Sequence, residues 1–267
     1  MLIDYHVHTN TSTDAVPGLH DYCKRAVELG FDELCITNHH EWISVVDGKY
    51  EYAMTGSEIK QLINEVEVAK KEFPLNIKFG VELGFHEMYE KEILDFSKKH
   101  PFDYIIGSVH VVNGEMIAGE EPLVDMPIEI VNKRYAEYFR LLKRAIELGF
   151  CDCVGHFELP RKEMPQLEFA DYKKLVKPCI DAMKRNNVGF ELNTGGWRRY
   201  QNDAYPRKEI LDMFYKAGIK KITVGSDCQK VDEFGYRVSE GLRVLKEAGF
   251  ENICTFSKRE PSFWKIQ

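Results

Sequence analysis

Two histidines one residue apart, His6 and His8 in "YHVHT", can act on one ion or on two adjacent ions if the segment is extended, because residues i and i+2 of a strand face the same way. Imidazole nitrogens ligate metals or carry protons near neutral pH, and carboxylates supply the charge that balances a cation. More residues of these types follow apolar runs: His39 and His40 in "TNHH", Glu82 in "GVEL", His110 in "GSVH", His156 in "VGHF", Asn193 in "ELNT" and Asp227 in "GSD". Six of the nine histidines lie at such ends, whereas His20, His86 and His100 do not. For Asp227 and Gln229, which end "ITVGSDCQK", a water-facing loop, a catalytic carboxylate and a metal site with one replaced ligand are all open readings.

The elements that must carry these residues recur. Amphipathic helix, small residue, glycine, apolar residue and short strand follow one another in "RAVELGFDELCITNHH", "RAIELGFCDCVGHFE", "MFYKAGIKKITVGSD" and "VLKEAGFENICTF". Gly30, Gly149, Gly218 and Gly249 sit where each helix must stop, in a left-handed conformation that glycine adopts without a Cβ penalty. Leu19, Tyr22, Cys23, Ala26 and Val27 form one apolar helical face, and Ile59, Leu62, Ile63, Val66 and Ala69 another, with Thr55 and Glu58 spaced as a capping box. Together with "MLIDYHV", "NIKFGVEL", "DYIIGSVHV" and "NVGFELNT" this gives about seven or eight strands alternating with helices. Such alternation predicts an α/β fold with a parallel sheet, closed as a barrel rather than left open, in one domain over residues 1–267.

In either arrangement the C-terminal ends of the strands share one face. His39 lies nine residues past Gly30, His156 seven past Gly149 and Asp227 nine past Gly218, so the three should meet there. Imidazoles and carboxylates gathered in one mouth are costly to desolvate unless cations balance them, and they outnumber the four ligands that a single zinc takes. Two or three divalent ions, zinc, iron or manganese, are expected.

Composition narrows the rest. With 44% hydrophobic and 30% charged residues the chain suits a globular enzyme, and a net charge of −7 without a basic run argues against nucleic acid or an anionic membrane as partner. No apolar run approaches a membrane span and the start lacks the basic residues of a signal peptide, so a cytoplasmic location is expected. Seven cysteines without framework spacing predict buried free thiols.

The ordered set "YHVHT" with Asp14, "TNHH", "GVE", "GSVH", "GH" and "GSD", from Asp4 to about Gln229, resembles the PHP (polymerase and histidinol phosphatase) superfamily. Within it, "DYIIGSVHVVNG", "VGHFELPRK" and "ELNTGGWRR" resemble the monofunctional histidinol-phosphate phosphatases. The resemblance implies a distorted barrel of about seven β/α units with two or three metals at its mouth. It implies ligands at His6, His8, Asp14, His39, Glu82, His110, His156, Asp227 and the position of Gln229. Two positions depart from the family: Asn38 stands where Asp is frequent, and Gln229 where His is usual.

The function so implied is hydrolysis of L-histidinol phosphate, a small phosphate monoester, by a hydroxide bridging two metals, with Arg161 and Arg198 on the phosphate. Asp14, His40 or a metal-bound water would protonate the leaving alkoxide, and Glu115, Glu158, Trp42 and Trp197 lie in loops that could meet the histidinol moiety. Alternatives are a related phosphoesterase acting on another small phosphate, or a non-catalytic metal-binding module.

Overall fold

The computed structural model describes residues 1–43, 45–46, 49–117, 119, 123, 125–164 and 167–267. Seven parallel strands stand side by side in chain order: β1 (Ile3–Val7), β2 (Glu33–Ile36), β3 (Asn76–Gly84), β4 (Tyr104–Ser108), β5 (Cys153–Val154), β6 (Gly189–Asn193) and β7 (Ile222–Gly225). Between them run α1 (Leu19–Glu28), α2 (Gly56–Glu72), α3 (Glu90–Lys99), α4 (Ile128–Leu148), α5 (Phe169–Asn186) and α6 (Lys208–Ala217), and α7 (Val238–Glu247) follows β7. The sheet curls into a distorted barrel that is nearly closed. Where β7 returns to β1 the only pairing among the described residues is the bridge Val7 to Cys228. A side chain supports this seam: the buried Asp4 carboxylate accepts from the backbone N of Ser226 at 2.9 Å, its hydroxyl at 2.5 Å and the backbone N of Gly235 at 3.0 Å.

The helices form as their patterns dictate. In α2 the buried face is Ile59, Leu62, Val66 and Ala69, and the Thr55 and Glu58 capping box is made, with the Glu58 amide donating to the Thr55 hydroxyl. Gly30, Gly149, Gly218 and Gly249 all take positive φ after their helices. Val27 departs from the expected stripe, being 41% exposed at the end of α1 while Leu19, Tyr22, Cys23 and Ala26 are buried.

The last copy of the recurring unit does not extend the barrel. β8 (Asn252–Ser257) pairs antiparallel with β9 (Glu260–Lys265) through a two-residue turn, Lys258 and Arg259, both at positive φ as a tight hairpin requires. This hairpin packs under the N-terminal end of the barrel. There the Tyr5, Tyr104 and Phe256 rings lie 5.1 Å and 4.9 Å from one to the next. All seven cysteines are buried free thiols, and no helix among the described residues is long and apolar enough to cross a membrane.

Candidate metal centre

β1 brings the first donors to the mouth through an irregularity. Its register against β2 shifts between Asp4 and Val7, a bulge, so that Tyr5 and His6, neighbours that strict alternation would separate, both find partners inside the barrel. Tyr5 packs on Tyr104 across the interior, while His6 Nδ1 lies 2.6 Å from Glu191 on β6. The His6 and His8 rings sit 5.0 Å apart.

Glu82, at the end of β3, is the hub. Its Oε2 lies 3.1 Å from His6 Nε2, 3.5 Å from His8 Nε2 and 3.1 Å from His39 Nδ1. Its Oε1 accepts from Ser108 at 2.6 Å and lies 2.9 Å from His156 Nε2 and 3.3 Å from His110 Nε2. Burial alone would raise this carboxyl, but His6, His39 and His110 outweigh it and hold the group well below the usual range. Asp227, in the turn after β7 at φ +54, approaches His8 at 3.4 Å and His6 at 3.6 Å. Asp14 reaches His39 Nε2 at 3.3 Å, and despite partial burial its carboxyl is lowered to about 2 by that imidazole.

Two carboxylates complete the cluster that the sequence reading passed over. Glu41 accepts from His110 Nδ1 at 2.6 Å and lies 3.3 Å from His39 Nδ1. It fills space left by Gly84, where a Cβ would fall 2.3 Å from its side chain. Glu191 receives His6. The signal for Glu41 was present, since it stands at i+2 from His39, the spacing that drew attention to His6 and His8.

Nine side chains, His6, His8, Asp14, His39, Glu41, Glu82, His110, His156 and Asp227, fall into five overlapping groups able to hold a metal ion. Each expected ligand apart from Gln229 is among them. The donor set fits a cation for a further reason: both ring nitrogens of His8, and Nδ1 of His39 and of His156, are buried without a hydrogen-bond partner. Buried polar atoms are rarely left so, and lone pairs converging on carboxylates suit a divalent ion.

Gln229 lines the same mouth but uses its amide differently, donating to Asp14 Oδ2 at 2.7 Å. Asn38 exchanges two hydrogen bonds with Thr9, at 2.7 and 2.8 Å, pinning the loop after His8 as a neutral amide can and an ionised carboxylate cannot.

Beside the donors lies a cavity of about 270 Å³, lined by Asp14, His39, Glu41, Tyr52, Glu82, His110, Met116, His156, Leu159, Lys162, Arg199, Asp227 and Gln229. Arg161 and Arg198, expected on a phosphate, do not line it. Arg161 is buried on Asp203 at 2.8 Å, with Glu158 at 3.3 Å, and Arg198 donates to the Ser226 and Asp227 carbonyls at 2.9 and 2.7 Å. In both cases the next residue, Lys162 or Arg199, supplies the wall. Leu159–Lys162 is a 3₁₀ turn, in which one residue rotates a side chain by about 120°, and Arg199 follows the 3₁₀ turn Thr194–Arg198 in extended conformation, so sequence proximity alone does not choose between neighbours.

His40 is a correction. Alternation along His39–His40 sends His39 to the mouth and His40 the other way, where its ring stacks on Phe96 at 3.7 Å. Burial pushes the His40 imidazole down to about 3, as suits a neutral packing residue, and His40 does not line the cavity beside the donors. Of the four residues expected near histidinol, none lines the cavity. Trp42 packs on His40, Trp197 lies under the Arg237 guanidinium at 4.4 Å, Glu115 pairs with Arg134, and Glu158 is fully buried between Arg161 and Arg207.

Comparison with known proteins bears on this arrangement. A probable histidinol-phosphatase of Deinococcus radiodurans is 26% identical, over 97% of this chain and 98% of its own length. A histidinol-phosphatase of Lactococcus lactis is 24% identical over 96% of this chain and 94% of its own length. The crystal structure of a Lactococcus lactis histidinol phosphate phosphatase, complexed with zinc, L-histidinol and phosphate, superposes with a TM-score of 0.83 at 22% identity, covering 98% of each chain, a likeness of fold. The PHP domain model matches residues 4–195, the span that carries every expected donor except Asp227 and Gln229, and the chain belongs to the PHP domain family.

Proposed function

We propose that residues 1–267 form one metal-dependent phosphatase domain that hydrolyses L-histidinol phosphate to L-histidinol and phosphate. The observation that carries the reading is the convergence of five imidazoles with Asp14, Glu41, Glu82 and Asp227 beside a small cavity that also presents Lys162 and Arg199. The histidinol-phosphatase names of relatives spanning nearly the whole chain support the substrate. The seven free thiols suit a reducing cytoplasm.

His6, His8, Asp14, His39, Glu82, His110, His156 and Asp227, with Glu41 beside them, would hold two or three divalent ions. Zinc in the Lactococcus lactis structure favours zinc, and iron or manganese also suits a nitrogen and oxygen donor set. When bound, the ions would supply a nucleophile drawn from water near neutral pH and neutralise charge on the phosphoryl group.

The remaining work belongs to the chain's own residues. Arg199 offers a planar fork of donors and Lys162 a point charge to a phosphate lodged in the cavity. Arg198 and Asp4 grip the Ser226 to Asp227 turn, fixing Asp227 in its strained conformation. Gln229 acts through Asp14, which it holds against His39. Tyr52, Met116 and Leu159 close the wall around a space suited to a small monoester rather than a polymer.

The test is phosphate release from histidinol phosphate by protein of measured metal content, set against sugar and nucleotide phosphates. A preference for histidinol phosphate is expected. Equal rates across the panel would refute the substrate assignment.

A further inference from the structure

β6 points two polar side chains toward the mouth, and neither supplies a donor to any of the five metal groups among the described residues. Its two mouth-facing residues, Glu191 and Asn193, are fully buried. Glu191 Oε1 meets His6 Nδ1 at 2.6 Å, and Oε2 accepts from the backbone N of His156 at 2.9 Å and from Asn193 Nδ2 at 3.1 Å. Asn193 Nδ2 also donates to Asp227 Oδ2 at 3.2 Å, while its Oδ1 accepts from the Gly195 amide at 2.9 Å. The three residues so reached, His6, His156 and Asp227, are together one of the five groups.

We infer that Glu191 and Asn193 are a positioning pair that assembles this group from β1 and the segments that follow β5 and β7, and fixes the tautomer of His6. With Nδ1–H donated to Glu191, the His6 lone pair is left on Nε2, the atom that faces Glu82 and Asp227. The neighbouring strand makes room for the contact: a Cβ on Gly225 would fall 2.3 Å from Glu191 Oε1 and 2.4 Å from His6 Cβ. Only glycine lets the carboxylate and the imidazole meet there.

The arrangement needs an acceptor at both ends of the 191 side chain. A glutamine cannot provide it. If its oxygen faces His6, its NH2 confronts the His156 and Asn193 donors; if reversed, it presents N–H to His6 Nδ1 and drives the proton to Nε2, removing the lone pair from the mouth.

The inference rests on the proposed metal binding, so its test reads metal rather than substrate. Metal-free protein is titrated with Co2+ and followed by its visible absorption, which reports ligand geometry, in the parent chain, Glu191→Gln and Asn193→Asp. The second variant keeps the acceptor for the Gly195 amide but loses both donated bonds. For Glu191→Gln, about 10- to 100-fold weaker Co2+ binding at one site is expected, with an altered spectrum and the other sites unchanged. Asn193→Asp should shift the same site. Parent-like affinity and spectrum in both variants would overturn the inference alone, whereas a parent chain that takes up no Co2+ would overturn the metal reading with it.

Discussion

The two ends of the barrel bury polar groups on opposite terms. At the floor each has its partner within the protein: Tyr104 shares a hydrogen bond of 2.8 Å with Thr223, Tyr5 donates to Glu33 and accepts from the Phe256 amide, and Asp152 accepts from the Ile105 amide and from Arg259. At the mouth, His8, His39 and His156 keep ring nitrogens without partners, among carboxylates that only cations can balance. A self-satisfied floor stabilises the fold, and a mouth left incomplete is kept for something that arrives from outside.

That contrast can be broken by mutation at each end. The largest effect is expected at the mouth: His6→Ala with His8→Ala should lower phosphatase kcat/KM by about 10³-fold, the scale of losing charge stabilisation in a site screened from water. Its thermal midpoint without metal should fall, because loss of His6 leaves the buried Glu191 and Glu82 carboxylates without their imidazole partner, whereas His8 has no such partner to lose. Full turnover would end the metal reading.

At the floor, Phe256→Ala removes a ring packed on Tyr5 and Tyr104 and should cost about 3 to 5 kcal/mol in denaturant unfolding. Turnover per folded molecule should be unchanged. A matching loss of kcat would show that the ends are not independent.

The pH dependence separates metal-free from loaded protein. Burial would lower the His110 imidazole, but Glu41 and Glu82 outweigh it and raise the group to about 9. A raised imidazole stabilises the metal-free fold below about pH 6.5 and loses that contribution as pH climbs through about 9. Metal ligation needs the imidazole unprotonated, so metal affinity should instead rise with pH. Thermal midpoints measured across pH 6 to 9 with and without Zn2+ should therefore diverge, and parallel profiles would argue against His110 as a ligand.

The smallest effect is expected at Gln229→His. Gln229 now holds Asp14 from the rim, and an imidazole there should tighten metal binding or shift metal preference while turnover survives. Unchanged metal content and affinity in a chelator competition would leave Gln229 with its hydrogen-bonding role alone.

Much of this was legible before any fold was known. Helix, glycine and strand recur in the sequence, and strand ends in such folds share a face, so His39, His156 and Asp227 could be brought together by counting. The donors themselves are chain-local features, set by residue type at the end of an apolar run. What the sequence could not decide was direction. Whether Arg161 or Lys162 faces the cavity depends on the phase of a single 3₁₀ turn, whether Arg198 or Arg199 does depends on where such a turn ends, and His39 and His40 part only because a two-residue strand pairs with β3 in one register. The hairpin that floors the barrel looked like one more parallel strand until its turn residues were seen at positive φ. The role of Glu191 emerges only when strands far apart in sequence close around one interior, because a contact across 185 residues has no local signature.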